Sequence, residues 1–252
     1  MRVALAATVL AAVLLPMPAQ AAPPGALAAA RQQVESADYR MSGHLVRVDG
    51  SGARTSYAVN ISAHWFPGVL RVLLEVASPS DARVHALMEM RTEGKDTIEV
   101  VHPGDKSPVV LPFDKWRDGP LGDGFSYEDF LEAQYFWAGQ SAPIETKFGA
   151  RDCEVLKSTP GASDKTHYAE VKSWVDHGSS FPVYVEKTLK GSGGVKEFTY
   201  FGLRQTRGVW SATQVEAKIR GRTGSTLLII DHGTPEAHLG AKDFSSAQLT
   251  HF

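Results

Sequence analysis

A single cysteine, Cys153, stands in a chain of 252 residues. One thiol forms no internal disulfide, and without a second it builds no thiolate zinc site. Its setting, Arg151 to Ser158 (RDCEVLKS), reads as a buried strand position. Excess charge is missing too. Lys and Arg number 26 against 28 Asp and Glu, for a formal net charge of −2, so there is no basic footprint of a nucleic-acid binder. The nine histidines show no two-His helical spacing of a zinc protease. Gly124 to Glu128 (GFSYE) begins like a hydrolase elbow, fails at the final glycine and lacks a parallel α/β frame. Gly191 to Lys196 (GSGGVK) is followed by Glu197 and a β-patterned run, which makes it a hairpin turn and not a phosphate loop. Glu128, Asp129 and Glu132 lie too close together on one predicted helix to flank a sugar from two sides. These absences leave no catalytic residue, no metal and no cofactor to expect.

Long apolar runs are equally scarce. The longest, Val3 to Leu15, is too short to span a bilayer. It follows Arg2, is broken by Pro16 and Pro18, and leads to Ala19-Gln20-Ala21. That order predicts a Sec-type signal peptide over 1–21 and an exported domain over 22–252.

What is present is strand after strand. Tyr57, Val59, Ile61, Ala63 and Trp65 alternate with polar residues between Thr55 and Phe66; Leu70, Val72, Leu74 and Val76 do so between Val69 and Val76. Val84, Ala86, Met88 and Met90 share a third stripe, and Thr97 to Val101 is a fourth short strand. Later runs cover 39–48, 152–157, 167–176, 182–189, 195–203, 209–219 and 226–231, with turns at Gly191–Gly194, Arg207-Gly208 and Gly221–Gly224. A short helix is predicted over 24–36, and a covering turn around Phe244 near the C-terminus. The two sets of strands would pair most economically in one sheet.

One interior helix is predicted, from Ser126 to Ala138. Ser126 and Asp129 form a shortened capping box, and acidic residues crowd the first turns. Tyr127, Phe130, Leu131, Gln134 and Trp137 recur on one face. Gly122 and Gly124 precede it, so it is expected to swing as a lid over the concave side of the sheet. Alternating strands and one amphipathic helix also suit an ordinary core. Two short helices, however, are little cover for about ten strands, and the methionines make an adaptable lining. The residues expected to line an apolar cavity and its lid are Tyr57, Val59, Ile61, Trp65, Leu70, Val72, Leu74, Met88, Met90, Tyr127, Phe130 and Leu131.

The order of weak motifs resembles a known family. Gly122 to Phe130 (GDGFSYEDF), then Ser173 to Asp176 (SWVD), Phe181 to Lys187 (FPVYVEK), Gly194 to Phe198 (GVKEF), Gly208 to Trp210 (GVW) and Thr226 to Ile230 (TLLII) are similar to the LolA-like outer-membrane lipoprotein-sorting proteins, related in fold to LolB. The resemblance implies a mainly β fold: a strongly curved antiparallel sheet, an incomplete β-barrel, with short helices covering its concave face. It implies a periplasmic, monomeric carrier of lipid or lipoprotein acyl chains, with a membrane-protein donor and acceptor and no catalysis. The alternatives are an exported accessory or scaffold module with a solid interior and, well behind, a hydrolase assembled from scattered His, Asp and Ser.

Overall fold

The computed structural model describes residues 25–119 and 124–252. The expected signal peptide and the approach to the expected helix, Leu121 to Asp123, lie outside them. Helix α1 (Ala26–Glu35) opens the described chain. Six strands follow as successive antiparallel neighbours: β1 (Asp38–Val48), β2 (Arg54–Phe66), β3 (Val69–Ser78), β4 (Val84–Arg91), β5 (Thr97–Val101) and β6 (Val109–Val110). After an irregular stretch come β7 (Gly139–Gln140), β8 (Ile144–Phe148), β9 (Arg151–Thr159), β10 (Tyr168–Asp176), β11 (Pro182–Leu189) and β12 (Val195–Phe201). Then follow β13 (Arg204–Thr206), β14 (Val209–Ser211), β15 (Gln214–Ile219), β16 (Ser225–Pro235) and the short α2 (Ser246–Leu249).

One antiparallel sheet takes 14 of these strands in the order β6-β5-β4-β3-β2-β1-β16-β15-β12-β11-β10-β9-β7, with β8 also on β9. The fold is therefore mainly β, an open and curved sheet that does not close into a barrel. The two sets of strands do meet in one sheet, and the seam is β1 against β16. Ser42 pairs with His232 and Gly43 with Ile230, so Asp231 is an extra residue that bends the sheet there. Only glycine fits at position 43, because a Cβ would lie 1.9 Å from the Ile229 carbonyl oxygen.

The period-2 stripes bury as their sequence requires. Val59, Ile61 and Ala63 of β2 join Leu70, Val72, Leu74 and Val76 of β3 and the even stripe of β4 in the main core. The opposite face is covered as well. Leu73, Leu87 and Val101 pack with Leu239, Phe244 and Leu249 of the C-terminal tail in a second core. That outer layer explains why His85 is buried: its Nδ1 lies 2.8 Å from the Leu249 carbonyl, and its ring stacks on Phe252 at 4.0 Å. A carbonyl only accepts, so Nδ1 carries the proton.

The interior helix does not form. In its place are two single 3-10 turns, Tyr127–Phe130 and Ala133–Phe136, interrupted at Glu132, whose φ of 48° is left-handed. The Ser126 and Asp129 capping pair is present, with the Ser126 N–H and hydroxyl donating to Asp129 Oδ2 at 2.8 and 2.6 Å. What overrides helical continuation is distant in sequence. Lys187 Nζ lies 3.0 Å from Asp129 Oδ1 and Lys196 Nζ 2.6 Å from Oδ2, while the Tyr168 hydroxyl donates to Oδ1 at 2.6 Å. The Asp129 side chain is 1% exposed, and the two lysine side chains are 6% and 7% exposed. Both ammoniums also lie over the Phe198 ring, at 4.9 and 5.9 Å. Glu128 is likewise drawn sideways, its Oε1 3.3 Å from His167 Nδ1, so the acidic residues serve tertiary partners and not a helix dipole. The segment is pinned to the sheet; it is no swinging lid. Gly124, at φ +114°, is needed because a Cβ there would meet the Thr226 hydroxyl at 2.3 Å.

The pinning is measurable. Burial opposes the Asp129 charge, but Lys196 and Lys187 outweigh it and hold the carboxyl well below the usual carboxylate range. The folded pKa is depressed, so this contribution is complete above the unfolded value of about 3.9 and is lost as pH falls through that value toward the folded one. Asp129→Asn should cost about 3–5 kcal/mol at neutral pH, because it strands two buried ammoniums. It should also flatten the decline of the urea midpoint between about pH 5 and about pH 3; an unchanged acid limb would show that other carboxylates set it. Phe244→Ala should cost about 3–5 kcal/mol by emptying the outer core. A urea-measured loss below about 1 kcal/mol would mean that the tail rests on the sheet without packing into it.

Candidate functional site

A cavity of about 580 Å³ opens between the inner face of the sheet and its covers. Its floor is the seam region: Tyr39 and Met41 from β1, Ile61 from β2, Leu70 and Val72 from β3, and Leu228 and Ile230 from β16. Three covers close over it. Val34 comes from α1, Phe125, Phe130 and Glu132 from the pinned segment, and Val209 and Trp210 from the β13–β14 hairpin. The hairpin forms its own two-stranded sheet and is not part of the main one. Helix α1 links the other two covers: Gln33 Nε2 donates to the Trp210 carbonyl at 3.1 Å, and Arg31 Nε to the Tyr135 carbonyl at 2.7 Å.

Ile61, Leu70, Val72 and Phe130, among the residues expected to line a cavity, do so. Val59, Leu74, Met88, Met90, Tyr127 and Leu131 are closed inside the packed core and do not reach it, and Tyr57 and Trp65 lie half-buried at its margin. Trp65 stacks on Phe136 instead. The reason is geometric. Strand faces identify the inner side of a sheet but not how far along it the covers extend, and β4 is fully roofed where β1 and β16 are not. Missing from the expectation were Tyr39, Met41, Tyr200 and the whole hairpin. Positions 209–219 read as one strand, whereas the chain leaves the sheet at Gly202 and returns at Thr213. Arg207 and Gly208, with φ of 51° and 83°, form the tight turn between β13 and β14. That turn was visible in the sequence; the break at Ala212-Thr213 carried no glycine or proline to mark it.

Polar groups occupy two places on the lining. At the rim, Arg40 pairs with Asp243 at 2.7 Å, Asp231 pairs with His44 at 2.8 Å, and Arg204 and His232 stand beside them. Within the cavity are Tyr39, Glu132 and Tyr200. Burial holds both tyrosine hydroxyls above their ordinary pKa, and the Glu132 charge adds to the effect. Burial also pushes the Glu132 carboxyl up, against the pull of Lys187.

Other groupings offer less. Ser126 Oγ lies 3.2 Å from Lys196 Nζ, but the serine donates to Asp129, the lysine is ion-paired and the cluster is buried, so neither is available as nucleophile or base. Cys153 is fully buried on β9, and burial raises its thiol pKa, as befits an inert strand residue. Glu145, Glu154 and His177 converge on the outer edge, where the histidine Nε2 is 3.3 Å from Glu145 and Glu154 accepts the Ala26 N–H at 3.2 Å. A second hollow of about 130 Å³ lies beside the turns at Asp49-Gly50 and Arg222–Gly224, too small and too polar for a chain-like ligand. Among the described residues no helix is long and apolar enough to cross a membrane.

The fold has solved counterparts. A domain from Vibrio parahaemolyticus assigned to the outer membrane lipoprotein-sorting proteins superposes with a TM-score of 0.78 at 18% identity, covering 89% of this chain and 98% of that one. A DUF1329 family protein from Desulfovibrio piger gives 0.78 at 16% identity, with 89% and 97% covered. A LolA superfamily protein from Nitrosomonas europaea gives 0.64 at 17% identity, with 88% and 99% covered. At these identities the likeness establishes a shared fold, that of the LolA-like lipoprotein-sorting proteins. Among curated proteins none matches the chain. A family model described as "Uncharacterized protein"-like matches residues 70–251, well over half the chain, and this protein belongs to that family.

Proposed function

We propose that this protein is a non-catalytic carrier that shelters lipid acyl chains, free or on a lipoprotein, while they cross the periplasm toward the outer membrane. The observation that carries the reading is the open apolar cavity of about 580 Å³ at the seam of the sheet. Its size falls within the roughly 300–1,000 Å³ of small-molecule sites. A scaffold module would have no use for that space and would fill it with side chains. The solved neighbours, one assigned to lipoprotein sorting, fit the same reading. So does the N-terminal order of Arg2, an apolar run and Ala19-Gln20-Ala21, which supports export to the periplasm. The protein would act as a monomer, receiving cargo from one membrane protein and yielding it to another.

The energetics set what such a carrier must do. Leaving an acyl chain of about sixteen carbons in water costs on the order of 12 kcal/mol, at about 0.8 kcal/mol per methylene. The cavity must recover most of that and still release the chain. Release needs a movable wall. The pinned segment is held by buried ion pairs, whereas the β13–β14 hairpin is outside the main sheet and bonded to α1 by one side chain. The hairpin is therefore the door. Lipid extracted from protein purified from its own periplasm, and read by native mass spectrometry, should show a bound acyl compound. Phe130→Asp, which places a charge on the lining, should cut uptake of an acyl probe at least about tenfold, a penalty of about 1.4 kcal/mol. Phe130 is only half-buried, so circular dichroism should be unchanged. Normal uptake by the variant would remove Phe130 from the lining, and empty protein together with no probe uptake would end the carrier reading.

A further inference from the structure

The register of the β13–β14 hairpin gathers polar side chains at the mouth of the cavity. Arg204 stands directly opposite Ser211, and Thr206 opposite Val209, so these four share one face of the hairpin. All four line the cavity. The Arg204 guanidinium reaches in over the sheet: its Nη2 lies 3.8 Å from where a Cβ on Gly233 of β16 would stand. Gly233 pairs with Met41, a floor residue, so the missing side chain leaves room for the guanidinium at the margin of the floor. Among the described residues the Arg204 side chain has no carboxylate or hydrogen-bond partner. The acids around the mouth are engaged elsewhere. Asp231 pairs with His44 at 2.8 Å, Asp243 with Arg40 at 2.7 Å and Glu236 with Arg207 at 2.9 Å. Deeper in the lining, Asp129 answers two lysines, and Glu132 belongs to the pinned segment and not to the hairpin.

We propose that this face of the hairpin is a head-group site, in which Arg204 takes the anionic end of an acyl compound, a carboxylate or a phosphate, and the Ser211 and Thr206 hydroxyls donate beside it. The proposal rests on the carrier reading and narrows its cargo to acyl compounds with a negatively charged end. A guanidinium presents N–H donors in a planar fork that matches two oxygens of a carboxylate or phosphate. A serine directly opposite and a threonine two residues along add hydroxyl donors on the same face. An anion held there leaves its tail to run inward over Met41 and Ile230. The exposure of Arg204 suits the role. Its charge stays hydrated while the cavity is empty, so the site avoids the desolvation that a deep charge would require. Because Arg204 belongs to the door, the movable element grips the head while the fixed floor holds the tail. Displacing the hairpin would then lift the head out first. An uncharged head would gain no ion pair there.

Three sixteen-carbon probes separate the head from the tail: hexadecanoic acid, hexadecyl phosphate and hexadecanol. Each is offered to the full chain from cyclodextrin, in competition with a fluorescent acyl probe, at about pH 8, where a free carboxyl is ionised. The wild type should hold the acid or the phosphate at least about tenfold more tightly than the alcohol. Whichever of the two anions binds better names the source of the charge. The ratio of anion to alcohol affinity should shrink as salt rises from about 0.05 M to about 0.5 M, because an exposed guanidinium is screened. Arg204→Gln should bring that ratio to about one, while Arg204→Lys, which keeps the charge and loses the fork, should retain part of it. Should Arg204→Gln disturb the hairpin, Ser211→Ala removes one donor and should lower the ratio by itself. Equal binding of anions and alcohol by the wild type, or a ratio that survives Arg204→Gln, overturns the head-group site and leaves the carrier standing. If no probe binds, the carrier reading fails and the head-group site fails with it.

Discussion

Two lysines on neighbouring strands share one aspartate from the cover, and much of the molecule's behaviour follows from that contact. Asp129 belongs to a stretch with helical periodicity, yet its partners sit 58 and 67 residues further along the chain. A buried ion pair of this kind contributes little net stability, because desolvation offsets the Coulomb gain, but breaking it is expensive. Its effect is to fix position. The Tyr127–Phe130 turn can dock in one place only, with Phe130 on the cavity and Tyr127 and Leu131 in the core. A regular helix would have pointed these residues at successive angles and could not have met both lysines and the His167 ring with the same register. The left-handed Glu132 is the local expression of that compromise.

The strand faces were legible because their physics is local. Alternation in β2 and β3 reports a sheet with one dry side, and the stripes Val59–Ala63 and Leu70–Val76 are buried as they read. In β4 the pattern blurs, since His85 and Leu87 are also buried, and the cause is a C-terminal tail about 160 residues away in sequence, 164 for the His85–Leu249 contact. The interior helix failed for the corresponding reason: capping signals and an amphipathic stripe are short-range, and the Asp129 partners are not. The hairpin was missed because Val209 to Ile219 keeps β propensity throughout. Propensity registers that a residue is extended, not which sheet it joins. Only part of the candidate site was therefore readable. The floor residues Ile61, Leu70 and Val72 come from alternation, whereas the hairpin, Tyr39 and Tyr200 depend on where the covers stop.

The cavity stands where the covers stop, and its position at the β1–β16 seam has a structural cause. The first and last long strands of the chain meet there, and the bulge at Asp231, between the Ser42–His232 and Gly43–Ile230 pairs, bends the sheet. Curvature spreads side chains on one face and crowds them on the other. At the bulge a backbone carbonyl approaches so closely that only glycine fits at position 43. Closing the space above the floor would require α1, the pinned segment and the hairpin to converge on one point. Two of the three cannot move independently: α1 is bonded to both the pinned segment and the hairpin, and the pinned segment is fixed to β11 and β12 by Asp129. The ion cluster that holds the cover in place thus also holds it away from the seam, and the hairpin is left as the element whose displacement changes the volume at least expense to the core.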